Sequence, residues 1–458
     1  MQSAEQRAQW GSRWGFILAA AGSAVGLGNI WRFPYVTGEN GGAAFVVVYL
    51  ACVLLIGLPL LWNELAIGRA GGRDAVNSFL AIRPRTGFAI TGVFCLLCCF
   101  LVLSYYGVIA GWTVGYAFTS LTRRHTEFGQ FAADPKWVIP LFGVFMLMTI
   151  LIVHGGVQKG IERWSKLLMP ALLAMAVLVI LRSLTLPGAM AGVEYYLRPD
   201  FSKINGSVLI TALGQALFSL SVGWGLMITY ASYVKKDQNL VSSGFWVVIT
   251  DTAVAILGGF MVFPAVFAFG MKPDAGTALT FKTLPAVFEQ MPAGNLVGCV
   301  FFLLLMVAAL TSSISMLEVP VAWLLDDRKL SRNVASWGVG LLAFAIGIPS
   351  ALSAGGSKWL TEVKFLGKTG FLDIMDLLVG TLLIVLIALL CSVFTGYVWK
   401  PANAVEELAS GCPGFKKPFL GSVSLAGIWS VFVRYVCPIV IGFILVNLVA
   451  DLAGKKLF

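Results

Sequence analysis

The chain has 458 residues, 58% hydrophobic and 12% charged, with a mean hydropathy of +0.87. A soluble chain carries about 25% charged residues, so this composition excludes an ordinary water-soluble protein. The formal charge of +10 lies mainly in short connections between apolar runs and does not point to nucleic acid.

Those runs define about eleven spans of bilayer length: 14–37, 42–70, 88–121, 137–154, 162–182, 207–233, 240–269, 294–325, 333–351, 368–397 and 429–452. The polar, basic N-terminus (Arg7, Arg13) leads straight into the first span, with no cleavable signal segment expected. Lys and Arg are modestly enriched in the loops on the N-terminal side, which predicts a cytoplasmic N-terminus in a plasma (inner) membrane. An odd span count then leaves the C-terminus outside.

The first span contains Gly22-Ser-Ala-Val-Gly-Leu-Gly-Asn-Ile-Trp-Arg-Phe-Pro34. Gly22, Gly26 and Gly28 let a helix unwind at low cost, and unwinding frees backbone groups at membrane depth. Freed carbonyls are cation ligands and freed amides bind carboxylates. A packing face of small residues is the plain alternative. Asn29 and Arg32 in the same segment argue against it.

In the third span, Tyr105 and Tyr106 supply phenols that either donate to a substrate carboxylate or merely pack. Cys95, Cys98 and Cys99 read as small packing residues, not metal ligands. His125 and His154 are far apart and form no dyad. The sixth span is interrupted by Gly223-Trp-Gly225, with Gln215, Ser219 and Ser221 nearby. Breaks in spans one and six predict two five-helix repeats, and five being odd, the second is inverted. The fold expectation is an all-α polytopic membrane protein, one transmembrane domain. Its repeats cover 14–182 and 207–397, with an extra helix at 429–452.

Asp251 lies inside the seventh span, where a carboxylate is expensive and a functional candidate. Thr311-Ser-Ser313 in the eighth span either ligates or bonds back to its own helix. Asp373 and Asp376 open the tenth span near the level of Arg32, where an Arg–Asp pair is either a gate or a fixed bridge.

These motifs resemble the neurotransmitter:sodium symporter family, in particular its bacterial amino-acid transporters. The residues that carry the resemblance are the Gly22–Pro34 segment, Glu39-Asn-Gly-Gly42, Ser104-Tyr-Tyr106, Gly223-Trp-Gly225, Ile228-Thr-Tyr-Ala-Ser-Tyr233 and Leu310-Thr-Ser-Ser313. The resemblance implies a sodium-coupled symporter, not an enzyme. It implies one sodium site from the carbonyls of Gly22, Val25 and Ala308 with the hydroxyls of Thr311 and Ser312. A second would use the Ala24 carbonyl, Asn29, Ser219, Asp251 and the substrate carboxylate itself. Substrate would also meet Leu27, Gly28, Tyr106 and Ser221, with its side chain among Val102, Ile109, Phe218, Trp224, Ser312 and Met316. No ionic partner stands in that set, so a neutral amino acid is expected. Trp224 either restricts the pocket to small or medium aliphatic side chains or stacks on an aromatic one. Asp251, with Ala255 one turn later, supplies a built-in charge in place of chloride, so chloride is not required. The outer gate would be Arg32 with Asp376. The inner latch would be Arg7 with Asp326, with Trp10 and Tyr233 beside it. Gly160 and Pro170 either let the fifth span unwind or make an ordinary kink. A channel and a non-transporting receptor are the rival readings.

Overall fold

The computed structural model describes residues 8–122, 127–271 and 279–455. The fold is helical almost throughout, with two short hairpins in loops, Lys364–Phe365 with Lys368–Thr369 and Pro418–Leu420 with Val423–Ser424. Among the described residues, nine helices are long and apolar enough to cross a membrane. A tenth span is the bent pair Arg13–Ala24 and Gly28–Glu39, turned by 50°. The sequence's sixth span, 207–233, is divided into Gly206–Ser219 and Leu226–Ala231, neither long enough to cross alone.

Polar side chains start these helices where the first amides would otherwise lack partners. Ser12 accepts from the Gly15 amide at the start of span one. Asn205, Asn239 and Ser331 do the same at spans six, seven and nine. The third and eighth spans, Ala89–Thr122 and Gly294–Asp326, are each 72% buried over their apolar windows, whereas the last, Leu425–Leu452, is only 22% buried. Spans three and eight therefore form the centre and the last helix lies at the lipid edge. Residues 400–428, polar in sequence, fold into the helix Pro401–Ala409, a 3-10 turn and the second hairpin. The fifth span runs as continuous helix from Val157 to Leu184 through both Gly160 and Pro170, so no unwinding occurs there. Cys95, Cys98 and Cys99 are fully buried free thiols, and Cys99 donates to the Trp224 carbonyl at 3.1 Å. They serve packing, as expected.

Candidate functional site

The first helix ends at Ala24 because Val25 is extended (φ −69°, ψ 105°), and helix resumes at Gly28. The glycines here answer to close approach as much as to freedom. A Cβ on Gly26 would lie 2.6 Å from Ser312 Oγ and 3.0 Å from Tyr106 Oη. One on Gly28 would lie 2.9 Å from the Phe218 ring. The second break holds Ser221, Gly223 and Gly225 at φ 53°, 86° and 77°. Ser221 adopts a left-handed conformation rare for a residue with a side chain, and its hydroxyl donates to the Ser23 carbonyl at 3.1 Å. The two breaks therefore touch.

Two oxygen-rich clusters flank this junction. In the first, Thr311 Oγ1 lies 2.9 Å from the Ala308 carbonyl and 3.4 Å from the Val25 carbonyl. Ser312 Oγ lies 3.4 Å from the same Val25 oxygen and donates to Ser23 at 3.0 Å. Gly22 faces Thr311 across this cluster. The Val25 and Ala308 carbonyls and the Thr311 and Ser312 hydroxyls are brought together, and an all-oxygen set suits a hard cation. In the second, Asn29 Nδ2 donates to Asp251 Oδ1 at 2.7 Å and to Ser219 Oγ at 3.0 Å, while Ser219 donates to Asp251 Oδ2 at 2.8 Å. Asn29 Oδ1 accepts from the Gly26 amide at 3.0 Å. Asn29, Ser219 and Asp251 are all buried. Among the described residues no group of three His, Cys, Asp or Glu converges as a metal site.

Two cavities meet at Phe218 and Tyr106. The inner, about 20 Å³, is lined by Ser23, Ala24, Gly26, Gly28, Tyr106, Phe218, Ser221, Trp224, Ser312 and Met316. That volume holds about one water, so an amino acid enters only if a wall moves. The outer, 120 Å³, is lined by Leu27, Trp31, Arg32, Tyr35, Val102, Tyr105, Ile109 and the tenth-span acids, with Gly28, Tyr106 and Phe218 shared. Tyr106 Oη accepts from the Leu27 amide at 3.2 Å. Val102 and Ile109 line the outer cavity, above the aromatic pair. Ser219 lines neither cavity, because its hydroxyl is engaged with Asn29 and Asp251. Trp224 does line the inner cavity, edge-on to Phe218 at 5.6 Å. Its indole N–H is buried without a hydrogen-bond partner.

The expected outer ion pair is not formed. Arg32 does not pair with Asp376; among the described residues no such ion pair forms. Its guanidinium lies over the Phe218 ring at 4.6 Å, and Asp376 accepts from Tyr105 at 3.0 Å. The 120 Å³ cavity lies between them. On the opposite face, Arg7 lies outside the described residues. Its expected partner Asp326 accepts from the Asp74 amide at 2.8 Å. Trp10 does pack there: Nε1 donates to the Tyr230 carbonyl at 2.8 Å and the ring sits edge-on to Tyr233.

Glu318 and Glu64, buried acids in the middle of apolar spans, escaped the sequence reading. Glu318 receives the Tyr233 hydroxyl at 2.8 Å and a two-pronged Arg332 contact at 2.8 and 2.9 Å. Glu64 accepts from the Gly223 amide at 2.6 Å, tying the second span to the second break. Both are carboxylates inside apolar runs, the signal that singled out Asp251.

Residues 7–126 and 130–453 match the model of the sodium:neurotransmitter symporter family. A sodium-dependent transporter of Bacillus subtilis, YhdH, is 39% identical over 98% of this chain and 100% of its own length. A sodium-dependent transporter of Haemophilus influenzae is 35% identical over 97% of this chain and 98% of its own. Among solved structures, MhsT in complex with L-phenylalanine is 41% identical, with a TM-score of 0.86 over 96% of this chain and 99% of that one.

Proposed function

The chain belongs to the sodium:neurotransmitter symporter family, a family of sodium-dependent multi-pass membrane transporters, and from that premise we propose that it couples sodium to import of a neutral α-amino acid. The observation that carries this is the meeting of both helix breaks at one cavity between two oxygen clusters. On this reading the Gly22, Val25, Ala308, Thr311 and Ser312 oxygens hold one sodium ion. Ala24, Asn29, Ser219, Asp251 and the substrate carboxylate hold a second. Ion and substrate then share a contact, so each raises the other's affinity by the same factor. The Leu27 and Gly28 amides and Tyr106 receive the carboxylate, and Ser221 with free carbonyls receives the ammonium.

The inner cavity has no charged lining residue, so a charged substrate side chain would be buried unpaired. Trp224 fills its floor, which favours small or medium aliphatic side chains. A second reading is an aromatic substrate, favoured by the phenylalanine bound to a relative 41% identical and by the edge-on Phe218–Trp224 pair. Asp251 supplies the negative charge that makes chloride unnecessary. The Trp10 face, with its Lys- and Arg-rich loops, is cytoplasmic, and the two five-helix repeats are inverted about the site.

The test is equilibrium binding of tritiated neutral amino acids to purified protein, in sodium and then in potassium. Sodium-only binding of alanine, valine or leucine supports the first reading; sodium-only binding of phenylalanine or tryptophan supports the second. No sodium-dependent binding of any amino acid overturns both.

A further inference from the structure

A separate cavity of about 630 Å³ opens on the surface where the tenth span ends and the last begins. Its polar rim is basic and aromatic: Lys400, Arg434, Tyr397 and Tyr435, with no acidic residue in the lining. The Arg434 guanidinium lies 5.7 Å from the Tyr397 ring centre and 5.3 Å from that of Tyr435. Neither Arg434 nor Lys400 forms an ion pair among the described residues. Both cations are exposed. Lys400 is held at φ 73°, ψ 134°, a backbone conformation that favours glycine, and it precedes the helix Pro401–Ala409, which has no side-chain cap. The positive end of that helix dipole adds to the two cations. Below the rim, Val431, Tyr435, Ile439 and Val446 make an exposed stripe along the last span, at helical spacing. Lys236 and Arg69, bonded to Glu407 of the same short helix, put the cavity on the Trp10 face.

We propose that this cavity binds the headgroup of an anionic phospholipid, with an acyl chain along the Val431–Val446 stripe. Free phosphate matches the cations but leaves the apolar stripe uncovered. A zwitterionic headgroup matches the stripe but brings its own cation to two others. Basic pockets between spans at the membrane surface suit anionic lipid, and aromatic side chains belong at that depth. The reading is independent of the substrate site.

The test is native mass spectrometry of the purified full chain titrated with phosphatidylglycerol or phosphatidylcholine. Wild type should retain one more phosphatidylglycerol than phosphatidylcholine. The double variant Lys400→Gly with Arg434→Gln should lose that molecule, its affinity falling about thirtyfold. Lys400→Gly keeps the backbone comfortable, so misfolding is not the expected cause; an unchanged unfolding temperature checks this. The double variant Lys416→Gln with Lys417→Gln, an equal loss of charge at two exposed positions just beyond the same short helix, should retain the lipid. Equal retention of both lipids, or retention by the double variant, overturns the proposal. Release of the bound lipid by inorganic phosphate alone also overturns it, in favour of a free anion.

Discussion

The Trp10 face and the Arg32 face are built from similar residues and are closed to different degrees. On the Trp10 face, Arg332 grips Glu318 with two hydrogen bonds, and Tyr233 adds a third to the same carboxylate, whose side chain is 0% exposed. On the Arg32 face the acid and the cation are satisfied separately, by Tyr105 and by the Phe218 ring, around a 120 Å³ cavity. A buried pair is costly to break from one side, whereas separated, solvent-reached charges are cheap to rearrange. Among the described residues, the Trp10 face is thus held by a buried ion pair, and the Arg32 face is narrowed by Phe218 and Tyr106 above the inner cavity.

Four substitutions break or sharpen that contrast. Arg332→Met strands the Glu318 charge and should cost about 3–5 kcal/mol of the closed Trp10 face. Amide exchange at residues 8–12 and 226–234 should speed up strongly, while the Arg32 face is unaffected. Unchanged exchange would mean that the pair does not hold that face. Asp251→Asn removes a charge-assisted partner of Asn29 and Ser219 and should weaken sodium binding by about 1.5–3 kcal/mol, read as the sodium concentration for half-maximal amino-acid binding. Should chloride become necessary in that variant, Asp251 is its substitute. Trp224→Leu enlarges the inner cavity and should shift preference toward bulkier neutral amino acids by about 1–3 kcal/mol, read from competition binding. Asp376→Asn should change binding least, by about 0–1 kcal/mol, because the acid does not pair with Arg32 here. A large loss of binding would mean that a paired gate forms when substrate is held.

The breaks were legible because glycine is the residue that answers both demands made there. Gly26 admits Ser312 and Tyr106 at close range, and Gly223 and Gly225 adopt positive φ. Asp251 was legible because a lone carboxylate stands out in an apolar run. Glu64 and Glu318 stand out the same way, but what each one does depends on its partner. Gly223 is 159 positions from Glu64, and Tyr233 is 85 from Glu318. No local pattern pairs them. That Val102 and Ile109 line the outer cavity could not be read from the chain, because the level of one helix against another follows from packing, not from spacing within either. The arrangement of Arg32 was illegible for a further reason: the same residues fit a paired and an unpaired gate, and which holds is a property of conformation.

The most direct test of the account is uptake into proteoliposomes carrying an inward sodium gradient, with the neutral amino acid that binds best. The account predicts accumulation above the outside concentration that vanishes when sodium is equal on both sides, and that Gly26→Ala, whose Cβ would crowd Ser312 and Tyr106, abolishes. Uptake that only equilibrates, whatever the sodium gradient, would contradict it.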